Sequence, residues 1–297
     1  MKRTITGMLI IAVVAMVTTL VSCDLLFSNV NIFSSLDGPN IDELSKADGP
    51  DLVSLLKDNK GGENGAFGAT FVARLEENPK ELESIKNSLQ TFYKSPDATP
   101  NQVAEAAALY AELTLLTTDT GDAVNGIVGA ALAVSEDPDA ELTMDSVISN
   151  LFGSDSAIGS DEDAFIDFAD EMRNVADAYS AVGAALDGGA DIELGLETGQ
   201  AAVVSLVFVT LIDSVDMTSP ALAIYTTPEE AVYNLLINPV PGSPFVPEDL
   251  FGASGATTLA DNMTLMTEDP SNTALFDASG ITDLLDLMGL SDEEPVA

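Results

Sequence analysis

The sequence has 297 residues, of which 49 are acidic and 10 are basic, and its formal net charge is −39. This charge excludes nucleic-acid binding, because contact with phosphates requires clusters of lysine and arginine. The sequence contains no histidine, which excludes Ser-His and Cys-His catalytic arrangements and histidine-ligated zinc sites. A hydrophobic content of 46% excludes disorder for most of the length and indicates an apolar core inside an acidic surface.

The first 23 residues have the pattern of a secretory signal. Basic residues at positions 2 and 3 precede an apolar stretch at 8–20, which is shorter than the roughly 20 residues of a membrane-spanning helix. The alternatives are an uncleaved membrane anchor, disfavoured by this length, and an ordinary secretory signal, disfavoured by a cysteine at the expected cleavage position. The residues that close the signal are Leu20, Val21, Ser22 and Cys23, and the sequence has no other cysteine.

These four residues resemble the lipobox of bacterial lipoproteins. The resemblance implies that the signal is cut before Cys23, that the Cys23 thiol carries acyl chains such as palmitate, and that the protein is anchored to a membrane of the bacterial cell envelope. Two or three chains would hold it stably, because each buried CH₂ adds about 0.8 kcal/mol. Asp24 resembles an inner-membrane retention signal of enterobacterial lipoproteins, but that code does not transfer to every bacterial group. The choice between inner and outer membrane therefore stays open.

Composition divides the rest of the chain. After the cleaved signal at 1–22, residues 23–65 are predicted to form a tether that begins with the lipidated cysteine and is rich in Ser, Asn, Asp and Gly. Residues 66–238 are predicted to be the main helical domain. Residues 239–297 contain a proline-rich loop, a smaller helical region and an acidic tail.

Helix signals begin in the main domain. Asn78 precedes a proline, a combination typical of a helix start, and an apolar face follows at helical spacing. Thr99 and Gln102 have the spacing of a capping box at the start of the next helix. Shorter helices with small side chains are predicted at 121–134 and 143–152.

The strongest amphipathic pattern covers residues 160–187. Ser160 is the predicted N-cap, and Gly188 with Gly189 is the predicted stop. Apolar residues recur at intervals of three and four, which predicts a buried seam made by Phe165, Phe168, Met172, Val175, Tyr179, Val182 and Leu186. The polar residues off this seam are expected to face water: Asp167, Asp170, Glu171, Asn174 and Asp177. A coiled coil is the alternative, but the short neighbouring helices favour a bundle.

The C-terminal part begins with an uncharged segment at 199–212, which fits either a buried strand or a buried helix; its length favours a helix. Thr227, followed by a proline and two glutamates, predicts another helix that ends near residue 237. The prolines after it mark the predicted domain boundary: Pro239, Pro241, Pro244 and Pro247. A last helical face is predicted from Ile281, Leu284, Leu285 and Met288.

Helix starts recur about every 20 residues, which suggests helical hairpins. The fragments at 107–111 and 228–231 resemble tetratricopeptide repeats, although no complete unit is present. The sequence therefore predicts an all-α fold, either an irregular helical bundle or an array of helical hairpins.

Carboxylate clusters are the candidate cation sites, at 136–139, at Asp155 with residues 161–163, and at Asp187 with Asp191 and Glu193. None has the spacing of an EF-hand loop, so we interpret them as solvated turns and helix caps, with no metal or other cofactor predicted. Arg173 is the only basic residue after Lys94. We expect it to pair with Asp170 or Asp177 on its own helix rather than to bind an anionic ligand.

The function that these patterns favour is non-catalytic binding or scaffolding in the envelope, with an unidentified envelope protein as partner and no nucleic acid. This expectation resembles the role of helical-repeat lipoproteins that serve transporters or envelope assemblies. The alternatives are a small-molecule or divalent-cation binding protein and a hydrolase that uses paired carboxylates. The absence of tryptophan and the few tyrosines disfavour a glycosidase, and we predict that the protein is not an enzyme.

Overall fold

The computed structural model describes residues 40–58, 67–118, 120–121, 124, 157–237, 247–251 and 255–281. Within these residues the regular structure is helical and contains no strand, which confirms the all-α prediction. The helices follow in chain order as α1 Ile41–Leu44, α2 Gly49–Asp58, α3 Ala69–Glu76, α4 Pro79–Tyr93, α5 Pro100–Thr117, α6 Ala157–Ser160, α7 Glu162–Asp187, α8 Leu196–Asp213, α9 Pro228–Val232, α10 Pro247–Phe251, α11 Gly255–Glu268 and α12 Pro270–Ala278. A 3₁₀ turn at Pro220–Leu222 precedes α9, and a π-helical turn at Tyr233–Ile237 continues it.

Helix α7 is the centre of the fold. It packs most extensively against α5 and α12, and it also contacts α8 and α9. The predicted seam is buried from Phe165 to Val182, whereas Leu186 at its end is half-buried. Small residues add a second buried face at Ala169, Ala176 and Gly183. Because α7 is covered on two sides, it is more central than a single amphipathic seam predicts.

The N-terminal helices form a layer around α4 and α5. Helices α1, α2 and α3 pack against α4, and α2 and α3 also contact α5. Residues 40–58, which the sequence analysis assigned to the tether, form α1 and α2 instead. Leu44, Leu52 and Leu56 have no exposed surface, so this segment belongs to the core. The segment was assigned to the tether because polar residues outnumber apolar ones between these leucines. At helical spacing, however, the polar residues lie on the outer face.

Local sequence explains the helix starts. At α5 the capping box is complete, because the Thr99 hydroxyl accepts from the Gln102 N–H and the Gln102 side chain accepts from the Thr99 N–H. At α7 the N-cap is Asp161, whose carboxylate accepts from the Ala164 N–H at 3.0 Å. The prediction of Ser160 as this cap is wrong, because Ser160 is the last residue of α6 and Asp161 has the extended backbone that a cap requires.

The uncharged segment at 199–212 lies inside α8, so the helical alternative is confirmed. Its apolar residues are buried between α7 and α11, which explains why the helix has no polar face. Among the described helices, none has both the length and the apolar character needed to cross a membrane.

The C-terminal helices α10, α11 and α12 close the core on the far side of α7. Helix α12 packs on α7, α11 packs on α8, and Ile281 after α12 is buried. Residues 238–246 and 282–297 lie outside the described residues, so the proline-rich boundary and the rest of the last helical face stay predictions. The helices predicted at 121–134 and 143–152 also lie largely outside the described residues.

Candidate functional site

The predicted lipidation site lies outside the described residues. This applies to Cys23 and to Leu20, Val21 and Ser22 before it, and also to the carboxylate cluster at 136–139 and to Asp155. The polar groups that the structure describes belong to the helical domain.

The carboxylates at the start of α7 serve helix ends. Asp161 caps the helix, and the Glu162 carboxylate accepts from the Asn234 side chain at 3.3 Å. Asp187, the last residue of α7, and Asp191 and Glu193 after it are exposed. In the part of the chain that the structure describes, no three acidic or cysteine side chains come together in a way that could hold a metal ion.

Arg173 links three helices. Its Nη1 donates to Asp213 Oδ1 at the end of α8 at 2.7 Å, and its Nη2 donates to Glu229 Oε1 in α9 at 2.9 Å. The prediction that Arg173 pairs with an acid of its own helix is therefore wrong. The side chain of Glu229 is only 12% exposed, and a covered carboxylate gains more from an ion-pair partner than the exposed Asp170 and Asp177 do.

A second polar contact joins α7 to the segment after α5. The buried Thr120 hydroxyl donates to Glu171 Oε2, so this carboxylate does not simply face water as its off-seam position predicted. Lys86 of α4 is near Glu171, and burial lowers its pKa, while the charges of Glu171 and Glu83 act in the opposite direction. The hydrogen bond ties α7 to the segment after α5, and the charge of Lys86 lies within the electrostatic reach of Glu171.

Tyr93 is the least satisfied polar group of the described core. It is 4% exposed, and its hydroxyl has no well-formed hydrogen bond within the described residues, although the Gln90 side chain is close enough to act on its pKa. Its ring meets Tyr110 edge-on, with 5.8 Å between centroids. Burial raises the pKa of Tyr93 to about 12.

An open cleft lies between α2, α4 and α5. Its volume is about 300 Å³, at the lower end of the range for small-ligand sites. Pro50 and Val53 of α2 and Phe92 of α4 form its apolar wall. The polar groups around it are Ser54, Lys57, Asp58, Gln102 and Glu105.

The cleft has a built-in ion pair, in which Lys57 of α2 donates to Glu105 of α5. The Lys57 side chain is 51% exposed and that of Glu105 is 27% exposed. Lys57 can therefore move into solvent more easily than the Glu105 carboxylate can. Sequence reasoning missed this site because it placed α2 in the tether. The signal was present, since Pro50, Val53 and Lys57 share one helical face at spacings of three and four.

No protein-family model, no curated protein and no solved structure matches the chain. The Arg173 contacts join helices and hold the fold, while the cleft offers solvent-accessible apolar and charged groups side by side. Of these arrangements, the cleft has the character of a recognition site.

Proposed function

We propose that the chain is a lipoprotein of the bacterial cell envelope, anchored to a membrane through acylated Cys23, and that its helical domain is a non-catalytic binding or scaffolding module. In this role it serves a transporter or an envelope assembly. The single observation that carries the proposal is the sequence Leu20-Val21-Ser22-Cys23 at the end of an apolar signal.

Two features of the helical domain support a binding role. The mostly covered Glu229 holds helices together through its contact with Arg173. The cleft between α2, α4 and α5, by contrast, is open and presents an exposed ion pair beside an apolar wall. A rigid helical body with an open, mixed-polarity cleft suits recognition of another molecule.

Mass spectrometry of the protein from its native host tests the anchor. We expect an N-terminus at Cys23 with added acyl mass, and we expect Cys23→Ala to leave the membrane fraction. Ser28→Ala, five positions beyond the cysteine, is the matched control and should stay membrane-bound. A Met1 terminus without acyl mass, or a Cys23→Ala variant that remains in the membrane, would contradict the proposal.

Site-specific photocrosslinking in intact cells tests the binding role. A photoreactive residue in place of Ser54 in the cleft should capture one defined envelope protein. The same residue in place of Asn87, an exposed position of α4 outside the cleft lining, is the control and should not capture it. Equal capture from both positions, or none from either, would argue against binding through this cleft.

A further inference from the structure

The aromatic wall of the cleft is held in place by a glycine. A Cβ atom at Gly49, the first residue of α2, would lie 2.3 Å from Cγ of Phe92. Only the absence of a side chain at Gly49 lets the Phe92 ring rest against the α2 backbone. The half-buried ring therefore lies directly against α2 at the edge of the cleft.

Two carboxylates border the same cleft. Asp58 ends α2 and is exposed, while Glu105 of α5 is mostly covered and paired with Lys57. The combination of an aromatic ring with carboxylates is the chemistry that recognises a cation, because the ring face and the oxygens both attract positive charge. Lys57 already supplies a cation to Glu105 from within the chain.

We propose that this cleft binds an arginine side chain of a partner protein, which stacks on Phe92 and replaces Lys57 as the partner of Glu105. The inference rests on the proposed binding role and names the chemistry of its partner. Arginine fits better than lysine, because a planar guanidinium can stack on a ring and pair with a carboxylate through two parallel N–H groups. Lys57, a point charge on a flexible stem, can move into solvent when the guanidinium arrives.

Charge complementarity supports a basic protein partner. The formal net charge of −39 creates an attractive field for cations over the whole surface, which steers a basic partner toward the chain. The cleft adds specificity to this field because it holds carboxylates, an aromatic wall and a displaceable lysine in one place. Arginine is also among the residues that contribute most to protein interfaces.

Titration calorimetry on the full-length chain in detergent at low salt tests the inference. The probe is the capped peptide Ac-Gly-Arg-Gly-NH₂, and its neutral control carries citrulline in place of arginine. We expect the arginine peptide to bind and the citrulline peptide not to bind. Methylguanidinium alone should bind at least about tenfold more weakly, because it lacks the peptide contacts.

Four variants locate the binding. Glu105→Gln should weaken the arginine peptide about tenfold, the effect of losing a charge-assisted hydrogen bond. Phe92→Leu should weaken it about threefold, as expected for an exposed cation–π contact. Lys57→Met should strengthen it, because the internal competitor is gone. Glu43→Gln on α1, an exposed position outside the cleft lining, removes the same charge as Glu105→Gln and should have less than about a twofold effect.

Several results would overturn the inference. Equal losses in Glu105→Gln and Glu43→Gln would show non-specific attraction by the acidic surface. Weaker binding by Lys57→Met would make the lysine part of the binding site rather than a competitor. Methylguanidinium that binds as tightly as the peptide would assign the cleft to a small molecule. Because the titration does not depend on the anchor, its failure leaves the Cys23 result intact, and failure of lipidation leaves the titration intact.

Discussion

At the N-terminal end of α7, the rings of Phe165 and Phe168 meet Phe208 of α8 with centroids 6.3 and 5.1 Å apart. At the C-terminal end, Gly183 approaches α12 so closely that a Cβ atom would lie 2.3 Å from the backbone oxygen of Ser271. One end fills space with large side chains, and the other removes side chains so that backbones meet. The same spacing of three and four residues runs through both ends, so periodicity shows that a helix is buried but not how closely its neighbours lie.

Two polar groups beside the middle of α7 are satisfied to different degrees. Arg173 of α7 is hydrogen-bonded to acids of two other helices. Tyr93 of α4 lies within the electrostatic reach of Asp177, and its buried hydroxyl has no well-formed hydrogen bond within the described residues. A polar group that links helices should contribute to stability, whereas an unsatisfied one should cost free energy.

The largest expected effect is at Met172, between the two ends. Met172 has no exposed surface, so Met172→Asp would place a carboxylate in the core. We expect the free energy of unfolding to fall by more than about 4 kcal/mol, or the chain not to fold. Asp170→Asn, two positions earlier on the exposed face, is the control and should change it by less than about 0.5 kcal/mol. Chemical denaturation followed by circular dichroism measures both, and similar behaviour would mean that this face is not core.

The position of Glu171 off the buried seam predicts a side chain that faces water. Glu171→Gln is nevertheless not a suitable surface control for that experiment. Its carboxylate accepts a hydrogen bond from the buried Thr120 hydroxyl. Its loss would therefore report on a contact between α7 and the segment after α5, not on solvation of the outer face.

The next effect concerns the close approach of α7 and α12. In an exposed helix, Gly→Ala raises stability by about 1 kcal/mol. At Gly183 we expect the opposite sign, a loss of about 1–3 kcal/mol, because the new methyl group meets the Ser271 backbone, which cannot rotate away. Ala184→Gly, at the exposed neighbouring position, measures the difference in helix propensity between alanine and glycine without a change in packing. It should cost about 0.5–1 kcal/mol. A Gly183→Ala variant more stable than the wild type would show that α12 does not pack this closely.

Arg173→Met should have a smaller effect, a loss of about 1–2 kcal/mol, because the mostly covered Glu229 side chain would lose its hydrogen-bond partner. Asp213, whose side chain is 58% exposed, is the matched control, and Asp213→Asn should cost less than about 1 kcal/mol. The double variant Arg173→Met with Glu229→Gln should recover most of the loss. If it does not, the arginine acts through packing of its stem rather than through the ion pair.

The sequence predicted what depends on residues close together in the chain. The capping box of Thr99 and Gln102 was found because its two partners are three residues apart. The burial of α7 from Phe165 to Val182 was found because the helical period repeats there. These features need no knowledge of the tertiary structure.

What the sequence did not predict depends on distant partners. The acids that hold Arg173 are 40 and 56 residues away, and no local pattern selects them from the many carboxylates. The cleft was missed for a related reason, because its walls come from three helices and one of these was assigned to the tether by its composition. The close contact at Gly183 depends on a backbone from α12, which local propensity does not reveal.

The smallest effect at neutral pH is expected at Tyr93. Tyr93→Phe removes a buried hydroxyl that has no well-formed hydrogen bond within the described residues, so we expect a gain of up to about 1 kcal/mol in the free energy of unfolding. Since burial raises the pKa of Tyr93 from 10.0 to about 12, the unfolded chain releases this proton at lower pH than the folded chain. Ionisation of Tyr93 therefore leaves the free energy of unfolding unchanged below pH 10 and lowers it progressively as the pH rises through 12. Denaturation at pH 8, 10 and 11.5 should show wild-type stability falling faster than that of Tyr93→Phe. A loss of stability in Tyr93→Phe at pH 8 would mean that the hydroxyl is satisfied, and parallel curves would mean that folding does not raise its pKa.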